Sequence, residues 1–184
     1  MTEVNLIVEG FLQIDFEKRT VKIASSSTLV KDKKCILVDC PAHLPTSITP
    51  NIIILTHSHL DHTWNVRLFR NRKLYFPSPL PDSVMFVEKE PTLRKTIELI
   101  DDELKLSNNV IIFSTPGHVR DHISVLVHAQ DGNYVIAGDA IKNEAELKND
   151  PLFCWNIEKW RESRKKILSI ADYVVLGHGG IVKI

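Results

Sequence analysis

ILTHSHLDHTWN, residues 54–65, follows an apolar run and brings three histidines and an aspartate within six positions. His57 and His59 are separated by one residue, so in an extended segment both imidazoles fall on the same side and can reach one ion. Asp61 and His62 come after the chain turns toward a helix, so they need not point at that ion, and the spacing admits two neighbouring ions. The preceding run, Ile52 to Leu55, is continuously apolar, as in a strand buried on both faces. The cluster therefore sits on a loop at a strand's C-terminal end, where functional groups concentrate.

The same design recurs three times further along. FSTPGHV presents His118, VIAGDA presents Asp139 and VVLGHGG presents His178, each after an apolar strand-like run. Gly117, Gly138, Gly177 and Gly179 let the backbone turn sharply beside these groups. Of the eight histidines, five fall in these loops, while His43, His122 and His128 lie outside them. Clustered His and Asp at several strand ends read as a site rather than as scattered core or surface imidazoles. Asp121 and His122, three and four residues beyond His118, read as support for that loop.

Composition limits the alternatives. The 184 residues carry 23 basic and 23 acidic side chains, so no overall field draws the protein to nucleic acid or anionic lipid. A 43% hydrophobic content suits one domain, residues 1–184, with a core of its own. No apolar stretch reaches the ~18 residues of a membrane span, and the N-terminus lacks a basic leader, so a cytoplasmic location is expected. Cys35, Cys40 and Cys154 are odd in number and form no CxxC pair, which argues against disulfides and a thiolate zinc site. Cys35 reads as a buried strand residue. Any metal must then be held by nitrogen and oxygen.

Strand-like runs fill the first third, at Val4–Val8, Phe11–Ile14, Val21–Ile23, Thr28–Val30 and Cys35–Asp39, close enough together to suggest an antiparallel meander. A helix is expected over His62–Arg70, then a strand at Leu74–Phe76. Pro91 reads as the first residue of another helix, with Leu93, Ile97, Ile100 and Leu104 as its buried stripe. Strands return at Val110–Phe113, Ile123–Val127 and Tyr134–Ala137. A second amphipathic helix carries Ile157, Trp160, Ile167 and Leu168, and Tyr173–Leu176 forms the last expected strand. The loops at residues 77–90 and 142–156 are the expected pocket walls, with Trp155 offering an apolar surface.

HSHLDH at 57–62, His118 in TPGH, Asp139 in GD and His178 in GHG resemble, in order, the metal-binding motifs of the metallo-β-lactamase-fold, glyoxalase II-like hydrolases. The resemblance implies an α/β fold, a four-layer αββα sandwich of two mixed β-sheets with helices on the outer faces. It implies a dinuclear centre, commonly of two zinc ions with iron or manganese as alternatives. His57, His59 and His118 would hold one ion, Asp61, His62 and His178 the other, and Asp139 would bridge them. Asp39, in ILVDC, would support a ligand from behind, although Cys40 departs from the glycine or threonine expected near it. A bridging hydroxide would attack the substrate, with Asp61 orienting it and moving a proton.

Members of this superfamily cut lactones, thioesters, phosphodiesters and RNA, so fold and site leave the substrate open. Asp139 stands where many zinc β-lactamases carry cysteine, and the sequence offers no helical C-terminal domain like that of glyoxalase II. A small ester, thioester or lactone is the leading expectation, with RNA or a phosphodiester second. Arg67 and Arg70, three apart, form a candidate anion rim for the latter. A different chemistry, persulfide oxidation at a single iron, would leave Asp61, His62 and His178 partly idle. A non-catalytic metal-stabilised module is the remaining reading.

Overall fold

The computed structural model describes residues 1–79 and 96–184. Two six-stranded mixed sheets lie face to face. The first has the order β1(Glu3–Val8), β4(Ser27–Lys31), β5(Cys35–Val38), β6(Ile52–Ile54), β7(Lys73–Pro77), β8(Ile97–Ile100). The second runs β14(Ile181–Lys183), β13(Tyr173–Leu176), β12(Gly132–Gly138), β11(Ile123–Ala129), β10(Val110–Ser114), β9(Glu103–Lys105). A separate hairpin, β2(Phe11–Asp15) and β3(Thr20–Ala24), stands apart from both. The expected meander is therefore only partial: β1, β4 and β5 pair antiparallel, but β5, β6, β7 and β8 run parallel.

Side-chain alternation builds the layers. Val30, Ile36, Val38, Ile52 and Ile54 of the first sheet meet Ile112, Ile123, Val125 and Ile136 of the second in the central core. The odd-numbered Leu37, Ile53 and Leu55 face outward, where Val66 and Leu44 cover them. On the far face Phe113, Val135 and Val174 pack against Ile167 of α2(Ile157–Ile170). Both faces of the central strands are thus dry, which explains their unbroken apolar runs. The result is the αββα sandwich, with short helical segments on one side and α2 on the other.

Two expected helices are corrected. Over residues 62–70 there is only α1(Leu60–Thr63) and a single 3-10 turn, Val66–Phe69. The segment after β5 captures the backbone groups a longer helix would use: Cys40 N–H donates to His62 O, and Asn65 N–H to Cys40 O. The stripe Ile97, Ile100, Leu104 belongs to β8 and β9 rather than to a helix. Three positions apart on a strand are opposite faces, so Ile97 joins the outer cluster and Ile100 the central one. Pro91, Leu93 and most of the 77–90 wall lie outside the described residues. Cys35 is half-buried, whereas Cys40 is fully buried.

Candidate metal centre

Each chemical side chain stands just past a strand end on one edge of the sandwich: Asp39 after β5, His57 and His59 after β6, His118 after β10, Asp139 after β12 and His178 after β13. Gly117, at φ 140°, makes one of these approaches possible. A Cβ there would run into the Trp160 backbone, so helix α2 packs directly on the loop that carries His118. Trp155 N–H donates to His118 O and Asn156 N–H to Gly117 O, fastening that loop to the helix entry.

His57, His59, His118 and Asp139 offer ligand atoms within 4.8 Å of one another, and Asp61, His62 and His178 form a second such group. Asp139 faces both. Its Oδ2 lies 3.0 Å from His118 Nε2 and 4.0 Å from His57 Nε2, while Oδ1 lies 3.1 Å from both His62 Nε2 and His178 Nε2. Asp61 Oδ2 completes the second group at 3.7 Å from His62 Nε2 and 3.6 Å from His178 Nε2.

Buried polar atoms are almost always hydrogen-bonded. Here His57 Nε2, His62 Nε2, His178 Nε2, Asp61 Oδ2 and Asp139 Oδ1 are buried without a hydrogen-bond partner. They face one another across 3.1 to 4.0 Å with no hydrogen bond made between them. That is the signature of a ligand set for cations, and nitrogen with carboxylate oxygen suits zinc or iron.

The hydrogen bonds behind the rings fix the tautomers such ligands need. His178 Nδ1 lies 2.9 Å from Ala24 O, which can only accept, so the proton is on Nδ1 and Nε2 faces the centre. His62 Nδ1 donates to Asp39 Oδ2 at 2.7 Å. Thr56 Oγ1 gives its hydrogen to Asp39, so His57 Nδ1 donates to that oxygen, again freeing Nε2. His122 works from behind Asp139: its Nε2 accepts the Asp139 N–H at 3.1 Å, and its Nδ1 donates along Thr115 and Ser124 to Ala137 O.

Burial holds His57 and His122 well below the ordinary imidazole range, keeping them neutral. At His62 burial acts the same way, but Asp139 and then Asp39 outweigh it and push the pKa well above normal. Burial would raise Asp139, yet His62 foremost, with His118 and His178, pulls it well below the carboxylate range. The two carboxylates thus draw positive charge to this point, and a bound cation meets the same demand while expelling the His62 proton.

The family pattern of the metallo-beta-lactamase superfamily matches residues 21–178. The chain belongs to that superfamily, a group of metal-dependent hydrolases. An uncharacterized protein of Caenorhabditis elegans is 31% identical over 139 residues, taking in 72% of this chain and 36% of its own length, so the chain spans about a third of that relative. Among solved structures, a quorum-quenching N-acyl homoserine lactone hydrolase superposes with a TM-score of 0.75 at 16% identity, over 95% of this chain and 91% of that one. A dizinc quorum-quenching lactonase gives 0.66 at 15% identity, over 89% and 76% of the two chains. These two likenesses are of fold.

Other residues named from the sequence fall around this metallo-beta-lactamase centre. Trp155 is exposed and joins the His118 loop through its backbone. Arg67 sits on the 3-10 turn and Arg70 caps it, both on the surface. His128 is half-buried, its Nδ1 2.7 Å from Asn133 Oδ1. The sequence reading missed Thr56, Ser25, Ala24, Trp64 and His43. Ser25 Oγ donates to Asp61 O, and Ala24, His43 and Trp64 line a groove beside Asp61. Thr56 was legible as a hydroxyl next to His57; β2 and β3 were legible as strands, but nothing local placed their hairpin beside the site. Among the described residues, no helix is long and apolar enough to cross a membrane.

Proposed function

We propose that the chain is a dinuclear zinc-dependent hydrolase acting on a small ester, thioester or lactone carbonyl. His57, His59, His118 and Asp139 hold the first ion; Asp61, His62, His178 and the bridging Asp139 hold the second. The observation that carries this reading is the pair of facing clusters, in which unpartnered imidazole nitrogens and both oxygens of one carboxylate converge. The lactonases of the same fold, one of them dizinc, support both the ion and the carbonyl class.

Two such ions supply Lewis acidity and a water ionised near neutral pH. The protein's own contribution is orientation and proton handling. Asp61, whose side chain keeps 20% exposure, is the only carboxylate of the set open to the groove; it orients the attacking water and takes its proton. Asp39 and His122 hold the ligands from behind. Cys40 is no nucleophile, because burial foremost, and then Asp39, push its thiol well above the usual range.

Elemental analysis of protein purified without added metal tests the reading, with an ester, thioester and lactone panel. About two zinc per chain with hydrolysis is the expected result. About one iron per chain with oxygen consumption overturns it in favour of sulfur oxidation. Asp139→Ala removes a ligand from both ions at once, so activity and metal content fall together; full activity in this variant refutes the bridge. Arg67→Glu with Arg70→Glu leaves ester cleavage unchanged, whereas selective loss on RNA fragments moves the substrate to the phosphodiester class.

A further inference from the structure

A groove of about 330 Å³ opens beside the second ligand cluster. Ile23 and Ala24 of β3 form one wall, Pro41 and Ala42 the floor, and Leu60 and Trp64 the other wall. Among the described residues, its only ionisable lining groups are Asp61 and His43. Ile23 is 45%, Leu60 39% and Trp64 50% exposed, so large apolar side chains stand open to water instead of packing inward. Apolar surface kept exposed around a concavity of this size marks a ligand site.

The groove is built into the metal centre. Asp61 belongs to both. Ala24, on the wall, accepts the Nδ1 proton of His178, and the next residue, Ser25, donates to Asp61 O. Ser26 Oγ donates to Gly179 O and Ser26 N–H to Gly177 O, so the hairpin wall is tied to the loop of the second cluster from both sides of His178.

We propose that this groove is the subsite for an unbranched aliphatic chain on the substrate, with the scissile carbonyl at the Asp61 end. The proposal rests on the hydrolytic reading above and names the substrate class of that site. A charged or polyhydroxylated tail would lose hydration along these walls without gaining partners, and neither Arg67 nor Arg70 lines them. A methylene is comparable in bulk to the ~30 Å³ share of a water molecule, so the volume takes a chain on the order of ten carbons.

The test has a binding arm and a turnover arm. n-Alkanols from butanol to decanol, which carry no acid group for a metal, are titrated into chelator-treated and zinc-loaded protein and followed by calorimetry. Affinity rises about fourfold per methylene, the ~0.8 kcal/mol of one buried CH₂. It falls at least tenfold in Trp64→Ala and in Ile23→Asp, with Leu60→Asn repeating the test from the opposite wall should the hairpin variant fail to fold. In the second arm, kcat/KM for p-nitrophenyl esters from acetyl to decanoyl climbs with chain length and flattens in the same variants. Ester cleavage with a flat profile and no alkanol binding overturns the subsite while hydrolysis stands. Chain-length-dependent alkanol binding without cleavage of any ester, thioester or lactone overturns the hydrolytic reading and leaves the subsite standing.

Discussion

Asp39 stands directly behind His62: Oδ2 lies 2.7 Å from His62 Nδ1, while His62 Nε2, across the ring, lies 3.1 Å from Asp139 Oδ1. The residue adopts φ 61°, in the left-handed region that costs a non-glycine roughly 1–2 kcal/mol. The chain accepts that cost to aim one carboxylate at His62 and, through Oδ1, at Thr56 N–H. Asp39→Ala is therefore expected to weaken metal binding by about 10–100-fold. Competition against a chromophoric chelator reads this directly; unchanged affinity would mean that packing alone orients the ring.

Gly177 sits against the Asp139 carboxylate. A Cβ there would come 2.5 Å from Asp139 Oδ1 and 2.6 Å from Gly138 O, closer than real contacts allow. Gly177→Ala must push Asp139 aside, at a cost of about 1–3 kcal/mol. Metal content per chain drops while far-ultraviolet circular dichroism stays that of the native fold. Full metal loading would show that the loop yields without moving the carboxylate.

Lys142 and Glu146 form a buried pair, Nζ to Oε1 3.0 Å, and Lys142 N–H also donates to Glu146 Oε2. The same lysine's carbonyl accepts the His178 N–H at 2.7 Å. Lys142→Met strands a buried carboxylate and is expected to cost about 3 kcal/mol in urea unfolding. Adding Glu146→Gln recovers most of the loss. A double variant no more stable than the single one contradicts this account.

At the opposite end of the sandwich, Asp32 accepts from Thr2 Oγ1 at 2.7 Å and Asn109 Nδ2 at 3.2 Å, joining the first sheet to the loop before β10. Partial burial works to raise its pKa, but the hydrogen bonds from Ser107, Thr2 and Asn109 outweigh it and hold it at about 2 instead of 3.8. A carboxyl depressed on folding contributes stability that is present above its unfolded pKa and lost as pH falls through the folded one. Stability from this cluster thus fades between about pH 4 and pH 2. In Asp32→Asn that part of the acid slope disappears, and about 1 kcal/mol is already missing at neutral pH; an unaltered acid slope would assign it to other carboxylates.

The sequence by itself determined most of the strands, the ligand-type residues at their ends and the superfamily. Strand burial and loop chemistry are local, and runs such as Ile52–Leu55 or Val174–Leu176 declare them through residue type. Helix α2 was equally plain, because Trp160 and Ile167 recur at helical spacing over a long element. Only the tertiary structure decided what those residues meet. Ile97 and Ile100 carry a helix-like interval but form a strand, because β7 offers a parallel partner and the two faces of the sheet each claim one of them. Asp139 addresses both clusters through its separate oxygens, His122 grips its backbone, and Ala24 orients His178 across 154 positions. The hairpin β2–β3 becomes a groove wall for the same reason. Periodicity along a chain reports whether a side chain is buried, whereas hydrogen-bond partners so far apart in sequence are chosen only when the two sheets close on each other.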